Sequence, residues 1–216
     1  MTIESSYAQV NSTRATQPRS FIALVLTLAF TSGFIIMSIE LLGGRILAPY
    51  FGSSIHVWGS IITVFMMSLS VGYLLGGKLS IHNPTLRKYG CFYIVAAITL
   101  LPTVIFGTAM MDMVFLAVED PRYGSLLASL VLFFLPTSVL GMIAPYSVRL
   151  LVENAQESGQ IAGGLYFVST LGSALGTLMT SFYLVKDFEI NQILYTMVVI
   201  LLISGICAML ADNFKK

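Results

Sequence analysis

Long runs of apolar residues separated by short polar connections set the pattern of this chain. The runs cover residues 21–42, 57–77, 89–110, 125–146, 161–185 and 190–211. Each is close to the roughly 20 residues that a helix needs to cross a hydrocarbon core. A helix on a soluble protein would instead interrupt such a run with polar residues on every turn. The pattern predicts an all-α polytopic membrane protein with six transmembrane helices, its transmembrane domain covering residues 21–211. A flexible cytoplasmic tail is expected at 1–20 and a short cytoplasmic tail at 212–216. The leading residues are rich in Ser, Thr and Gln and carry Arg14, Pro18 and Arg19. They lack the short apolar region and small-residue cleavage site of a signal peptide. Pro102 and Pro136 fall inside spans three and four and predict kinks there.

Composition sharpens the class. The chain is 56% hydrophobic and 10% charged, with mean hydropathy +0.88, whereas soluble domains carry roughly 25% charge. In 216 residues, six spans leave no length for a soluble enzyme. A net charge of +1 without any run of like charges gives no reason to expect nucleic acid as a partner. Cys91 and Cys207 lie far apart without a CxxC or a neighbouring His, so they read as structural thiols. No metal or cofactor is expected, because nucleotide-loop, HExxH and Ser/His/Asp signatures are absent.

Lys and Arg in the short connections set the expected orientation, because basic loops resist translocation. With the N-terminus inside, the inner segments hold Arg14, Arg19, Lys78, Arg87, Lys88, Arg149, Lys215 and Lys216. The outer segments hold only Arg45, Arg122 and Lys186. Both termini are therefore expected in the cytoplasm, as in a bacterial inner-membrane protein. Asp112, Glu119, Asp120, Asp187 and Glu189 then form an acidic outer rim, read foremost as solvated loop charge. Residues 111–123 are expected to begin with a short interfacial helix carrying Met113, Val114, Phe115 and Leu116.

Ala48, Pro49 and Tyr50 follow the first span, and Ala144, Pro145 and Tyr146 close the fourth. Spans one and four run in opposite directions, so the pair suggests an inverted 3+3 repeat resembling half of a major facilitator. A homo-oligomer or a partner chain would then be needed to enclose a pathway. Ser68, Gly72 and Gly76 on span two, and Gly172, Gly176 and Thr180 on span five, form stripes of small residues at four-residue spacing. Such stripes let two helix backbones approach closely, which is their first reading here.

Glu40 is the acidic side chain inside the first apolar run, placed by the run's limits near its outer end, and an ionised carboxylate there needs a partner or water. Arg45 follows past Gly43 and Gly44, which are expected to weaken the helix and let it bend until the two side chains meet. Two readings stand: a structural ion pair at a broken helix end, or a substrate- or ion-binding site whose further members are Tyr50, His56 and Trp58. Residues 47–57 are expected to form a tight outer turn or a re-entrant piece. Lys78, Arg87, Lys88 and Arg149 are candidates for a cytoplasmic interface, with Arg149 snorkelling to the headgroups by default.

The stretches ELLGGRILAPYFGSSIHVWG from Glu40, SVGYLLGGKLS from Ser70, SVLGMIAPYSVRLL from Ser138 and GQIAGGLYFVSTLGSALGTLMTSFYL from Gly159 resemble a known family. They are similar, in order, to the membrane region of the fused major facilitator and spermidine synthase-like proteins. In that family a soluble aminopropyltransferase domain commonly follows. Its glycine-rich loop and catalytic acids have no matching positions here, so the resemblance implies no catalytic residue and no enzyme in this chain alone. It implies importance for the block of Glu40, Arg45, Pro49 and Tyr50 and for that around Arg149. The function expected first is a membrane subunit that anchors or serves a separate spermidine synthase-like chain, passing a polyamine or related cation. A stand-alone secondary transporter working through Glu40, or a structural assembly protein, are the alternatives.

Overall fold

The structure is a computed structural model that describes residues 18–118, 120–152 and 156–213. Of the tails expected at 1–20 and 212–216, residues 1–17 and 214–216 lie outside the described residues, as does Glu119, whereas Arg19, Ser20, Asp212 and Asn213 belong to helices. Helices α1 (Arg19–Phe51), α2 (Ile55–Leu79) and α3 (Leu86–Ala117) form the first half. The second half holds α4 (Pro121–Gly141), α5 (Ile143–Leu151), α6 (Ser158–Met179), a π-helical turn (Thr180–Leu184), α7 (Val185–Asp187) and α8 (Ile190–Asn213). There is no strand among the described residues. Helices α4 and α5 together make one span, as do α6, the π turn and α7, so six apolar helical units are long enough to cross a membrane.

Local chemistry sets the helix ends. Gly52, at φ 77°, takes a backbone conformation that side chains oppose, and this stops α1 while its N–H closes the last turn on Ala48. Thr85 caps α3 by accepting from the Lys88 N–H, and Asp120 caps α4 by accepting from the Arg122 N–H, with Pro121 at the first helical position. At the end that carries both described chain termini, Asp212 accepts from the Leu86 N–H at 3.1 Å and so ties the end of α8 to the start of α3.

Several expectations are corrected. Helix α1 does not break at Gly43 and Gly44 but runs on through Pro49 to Phe51. In lipid every unpaired backbone group is expensive, so a local glycine preference of about 1 kcal/mol does not open the helix. Residues 47–57 therefore form no re-entrant piece, and only Gly52, Ser53 and Ser54 connect α1 to α2. Residues 111–117 continue α3 and form no separate interfacial helix. Pro102 lies within continuous α3, whereas the fourth span breaks at Met142, past Pro136. Pro136 has no N–H for the Leu132 carbonyl, and the Thr103 hydroxyl donates to that carbonyl at 2.7 Å from the neighbouring helix.

Three close pairings organise the bundle: α1 with α6, α2 with α4, and α3 with α8. Exchanging the halves turns the first pairing into the second and returns the third to itself, as an inverted 3+3 repeat requires. The small-residue stripes make the first two seams. A side chain at Gly76 would lie 2.5 Å from the Met142 carbonyl oxygen and 2.6 Å from its Cα, and one at Gly72 would strike the Ser138 carbonyl oxygen. On the other side Gly172 and Gly176 sit against the backbone of Phe30 and Phe34. Ser68 turns its hydroxyl back to the Val64 carbonyl, while Thr180 donates across the seam to Ser38 at 2.8 Å. The core between these seams is aliphatic and aromatic, with Tyr89, Tyr93 and Tyr146 wholly buried. Their hydroxyls are paired: Tyr93 donates to the Leu28 carbonyl at 2.7 Å, and Tyr89 lies 2.6 Å from the Ser147 hydroxyl.

Candidate functional site

The chemistry-bearing residues of the first span divide between two faces of α1. Glu40 and Arg45 are five residues apart, which turns them about 140° from one another on an unbroken helix. They form no ion pair, and Glu40 has no hydrogen-bond or ion-pair partner among the described residues. The predicted meeting fails because it depended on a bend that does not occur.

The position of Glu40 along α1 follows from the length of the helix. The helix continues to Phe51, so Glu40 sits about 15 Å along the axis from Tyr50. Tyr50 donates to the Asp112 carboxylate at 2.8 Å, marking a polar level at the bundle end remote from the chain termini. Half of a hydrocarbon core is about 15 Å, so a bilayer whose interface meets the Tyr50–Asp112 pair puts Glu40 near its midplane. Glu40 is half-buried, on the α1 face that it shares with Gly44 one turn on and Gly33 two turns back. Gly44 is overlain by the Trp58 ring: a side chain there would come within 2.6 Å of Trp58 Cη2. Gly33 abuts Ser169 and Ser173 of α6. The α1 face that carries Glu40 thus meets Trp58 of α2 toward the remote end and α6 toward the chain ends. Helix α6 and its continuation are little buried, and exposed Phe167, Leu171, Phe182 and Tyr183 leave this flank of the bundle open.

Arg45 and Tyr50 belong to the opposite face, where a cleft of about 540 Å³ opens between α1, α3 and α8. Glu189, Asn191 and Thr108 line it as well. None of these three was singled out as a site residue from sequence, because they meet only when α8 returns beside α3. The one signal available was the acid and amide at the start of the last apolar run.

The remaining predicted residues stay apart from both faces. His56 is exposed in the first turn of α2. Lys78, Arg87, Lys88 and Arg149 are all exposed at the chain-terminal end, and Lys88 donates to the carbonyls of His82 and Asn83 at 2.8 and 3.2 Å. Residues 153–155, beside the expected interface, lie outside the described residues. Cys91 and Cys207 are free and exposed. No cluster of three or more His, Cys, Asp or Glu among the described residues is placed to hold a metal.

Six apolar helical spans, each long enough to cross a membrane, define an integral membrane protein of the polytopic α-helical class. Compared with protein-family models, curated proteins and solved structures, the chain finds no match.

Proposed function

We propose that this chain is the membrane subunit of a spermidine synthase-like system and passes a polyamine or related organic cation along the Glu40 face. The observation that carries this reading is the Glu40 carboxylate, which has no partner among the described residues and sits well inside an apolar span, with the Trp58 ring lying one helical turn away over Gly44. A carboxylate supplies the counter-charge for an ammonium group, and an indole face attracts a cation by about 0.5–2 kcal/mol. A long polyamine bridges successive stations of this kind. The basic residues Lys78, Arg87, Lys88 and Arg149 form the side on which a soluble aminopropyltransferase-like chain docks, the cytoplasmic side by the distribution of Lys and Arg.

The test is uptake of labelled spermidine into vesicles containing the purified protein, alone and with the candidate soluble partner. Glu40→Gln keeps the shape and removes the charge. Losing a charge-assisted contact lowers affinity roughly ten- to hundredfold, and uptake falls accordingly while the protein still elutes as a folded species. Equal uptake by Glu40→Gln and the parent chain overturns the reading. A second reading, a stand-alone secondary transporter, draws support from the exchange-symmetric helix pairing. Full uptake without any soluble partner selects it.

A further inference from the structure

The cleft on the other face of α1 is a separate feature, and its lining has the charge pattern of a ligand site. Arg45 reaches it from α1 and Glu189 from the residue just before α8, yet the two form no ion pair with each other or with any other described residue. Opposite charges that share a cleft of about 540 Å³ without meeting leave room for a ligand carrying the complementary pair. Asn191 and Thr108 add uncommitted polar groups to the same lining. Tyr50 is already engaged with Asp112, and the Thr103 hydroxyl with Leu132. Apolar Ile46, Val104, Met111 and Leu194 complete the lining.

We infer that this cleft binds the headgroup of an amine-bearing zwitterionic phospholipid, the phosphate on Arg45 and the ammonium on Glu189. The shared chemistry is that of phosphoethanolamine, and three observations favour the lipid as its source. The cleft lies at the level of the Tyr50–Asp112 pair, where the apolar spans end. Its lining mixes the charged and polar groups with apolar Ile46, Val104, Met111 and Leu194, as a headgroup with the start of its acyl chains requires. Arginine, with its planar fork of donors, is the side chain best suited to phosphate at such an interface. The site stands on residues that the Glu40 reading does not use, so either can fail without the other.

The test is lipid retention by the whole protein, measured by native mass spectrometry after exchange into detergent with phosphatidylethanolamine or phosphatidylglycerol at equal concentration. The parent chain retains the ethanolamine lipid preferentially. Arg45→Gln lowers retention of both lipids about tenfold, the loss of one charge-assisted contact, and Arg45→Lys restores part of it. Glu189→Gln removes the preference between the two lipids and leaves phosphatidylglycerol retention unchanged. Both positions are exposed, and unchanged elution and thermal midpoint confirm folding. Equal retention of the two lipids by the parent chain, or an unaltered preference in Glu189→Gln, overturns the assignment. Free phosphoethanolamine that displaces the lipid at equimolar concentration overturns the lipid source and makes the ligand water-soluble.

Discussion

Gly76 and Gly77 are neighbours in the last turns of α2, and replacing each with Ala isolates what close helix packing contributes. Both substitutions gain the same helix propensity, about 1 kcal/mol in favour of Ala. A Cβ at Gly77 meets nothing within 4 Å. At Gly76 it lies 2.5 Å from the Met142 carbonyl oxygen, 2.6 Å from its Cα and 2.9 Å from its carbonyl carbon. Carbon contacts are comfortable at about 3.5–4.0 Å, so the α2–α4 seam must open by about 1 Å. The atoms in the way are backbone and have no rotamer to change. Overpacking of this kind costs about 1–3 kcal/mol. Because the propensity gain cancels in the comparison, Gly76→Ala should fall below Gly77→Ala by that amount, a factor of about 5 to 150 in the folding equilibrium. Reversible unfolding in mixed micelles, followed by circular dichroism, measures the difference. If Gly76→Ala is as stable as Gly77→Ala, the seam is not held by backbone contact and the packing argument fails. The same logic on the other seam ranks Gly176→Ala, which meets the Phe34 backbone, below Gly164→Ala, which meets nothing.

Thr103→Val leaves the Leu132 carbonyl, freed by Pro136, without its donor and should destabilise by about 1–3 kcal/mol. In a Pro136→Ala background the backbone regains an N–H for that carbonyl, so a double-mutant cycle should recover most of the loss; simple additivity would refute the pairing. The Ser129 hydroxyl is buried without a partner among the described residues, so Ser129→Ala should hold or raise the midpoint of thermal unfolding, and a clear drop would mean that the hydroxyl has a partner in the native membrane. Uptake by Glu40→Gln and lipid preference in Glu189→Gln test the two faces of α1 independently.

Run length and residue type were enough to read the six spans, because lipid leaves the backbone no alternative to helix over that many apolar positions. The small-residue stripes were equally legible, since four-residue spacing places Gly72 and Gly76, or Gly172 and Gly176, on one helical face whatever the partner is. Local rules failed where they met this same constraint. Gly43, Gly44 and Pro49 read as a break near the end of a span, but hydrogen bonds along the lipid-buried helix outweigh their preferences, and α1 runs through them to Gly52.

That one continuity decides the geometry of this segment. It keeps Glu40 about 15 Å along the axis from Tyr50 and turns Arg45 away from Glu40. A nearby opposite charge in the chain is no measure of distance across a helix.

The second repeat signal was also only half visible. Ala-Pro-Tyr occurs twice in the sequence, yet the acids beside the two tyrosines emerge only in the fold. Asp112 accepts from Tyr50 at one end of the bundle, and at the other Asp212 caps the start of α3, where Tyr146 hydrogen-bonds to Thr85. By itself the sequence determined which segments are helical and buried in lipid, because that follows from transfer of apolar side chains and from backbone hydrogen bonding within each segment. Which faces meet was decided by tertiary structure alone: Arg45 shares a cleft with Glu189, and Gly44 meets the Trp58 ring, because side chains far apart in the chain are brought together only when whole helices pack.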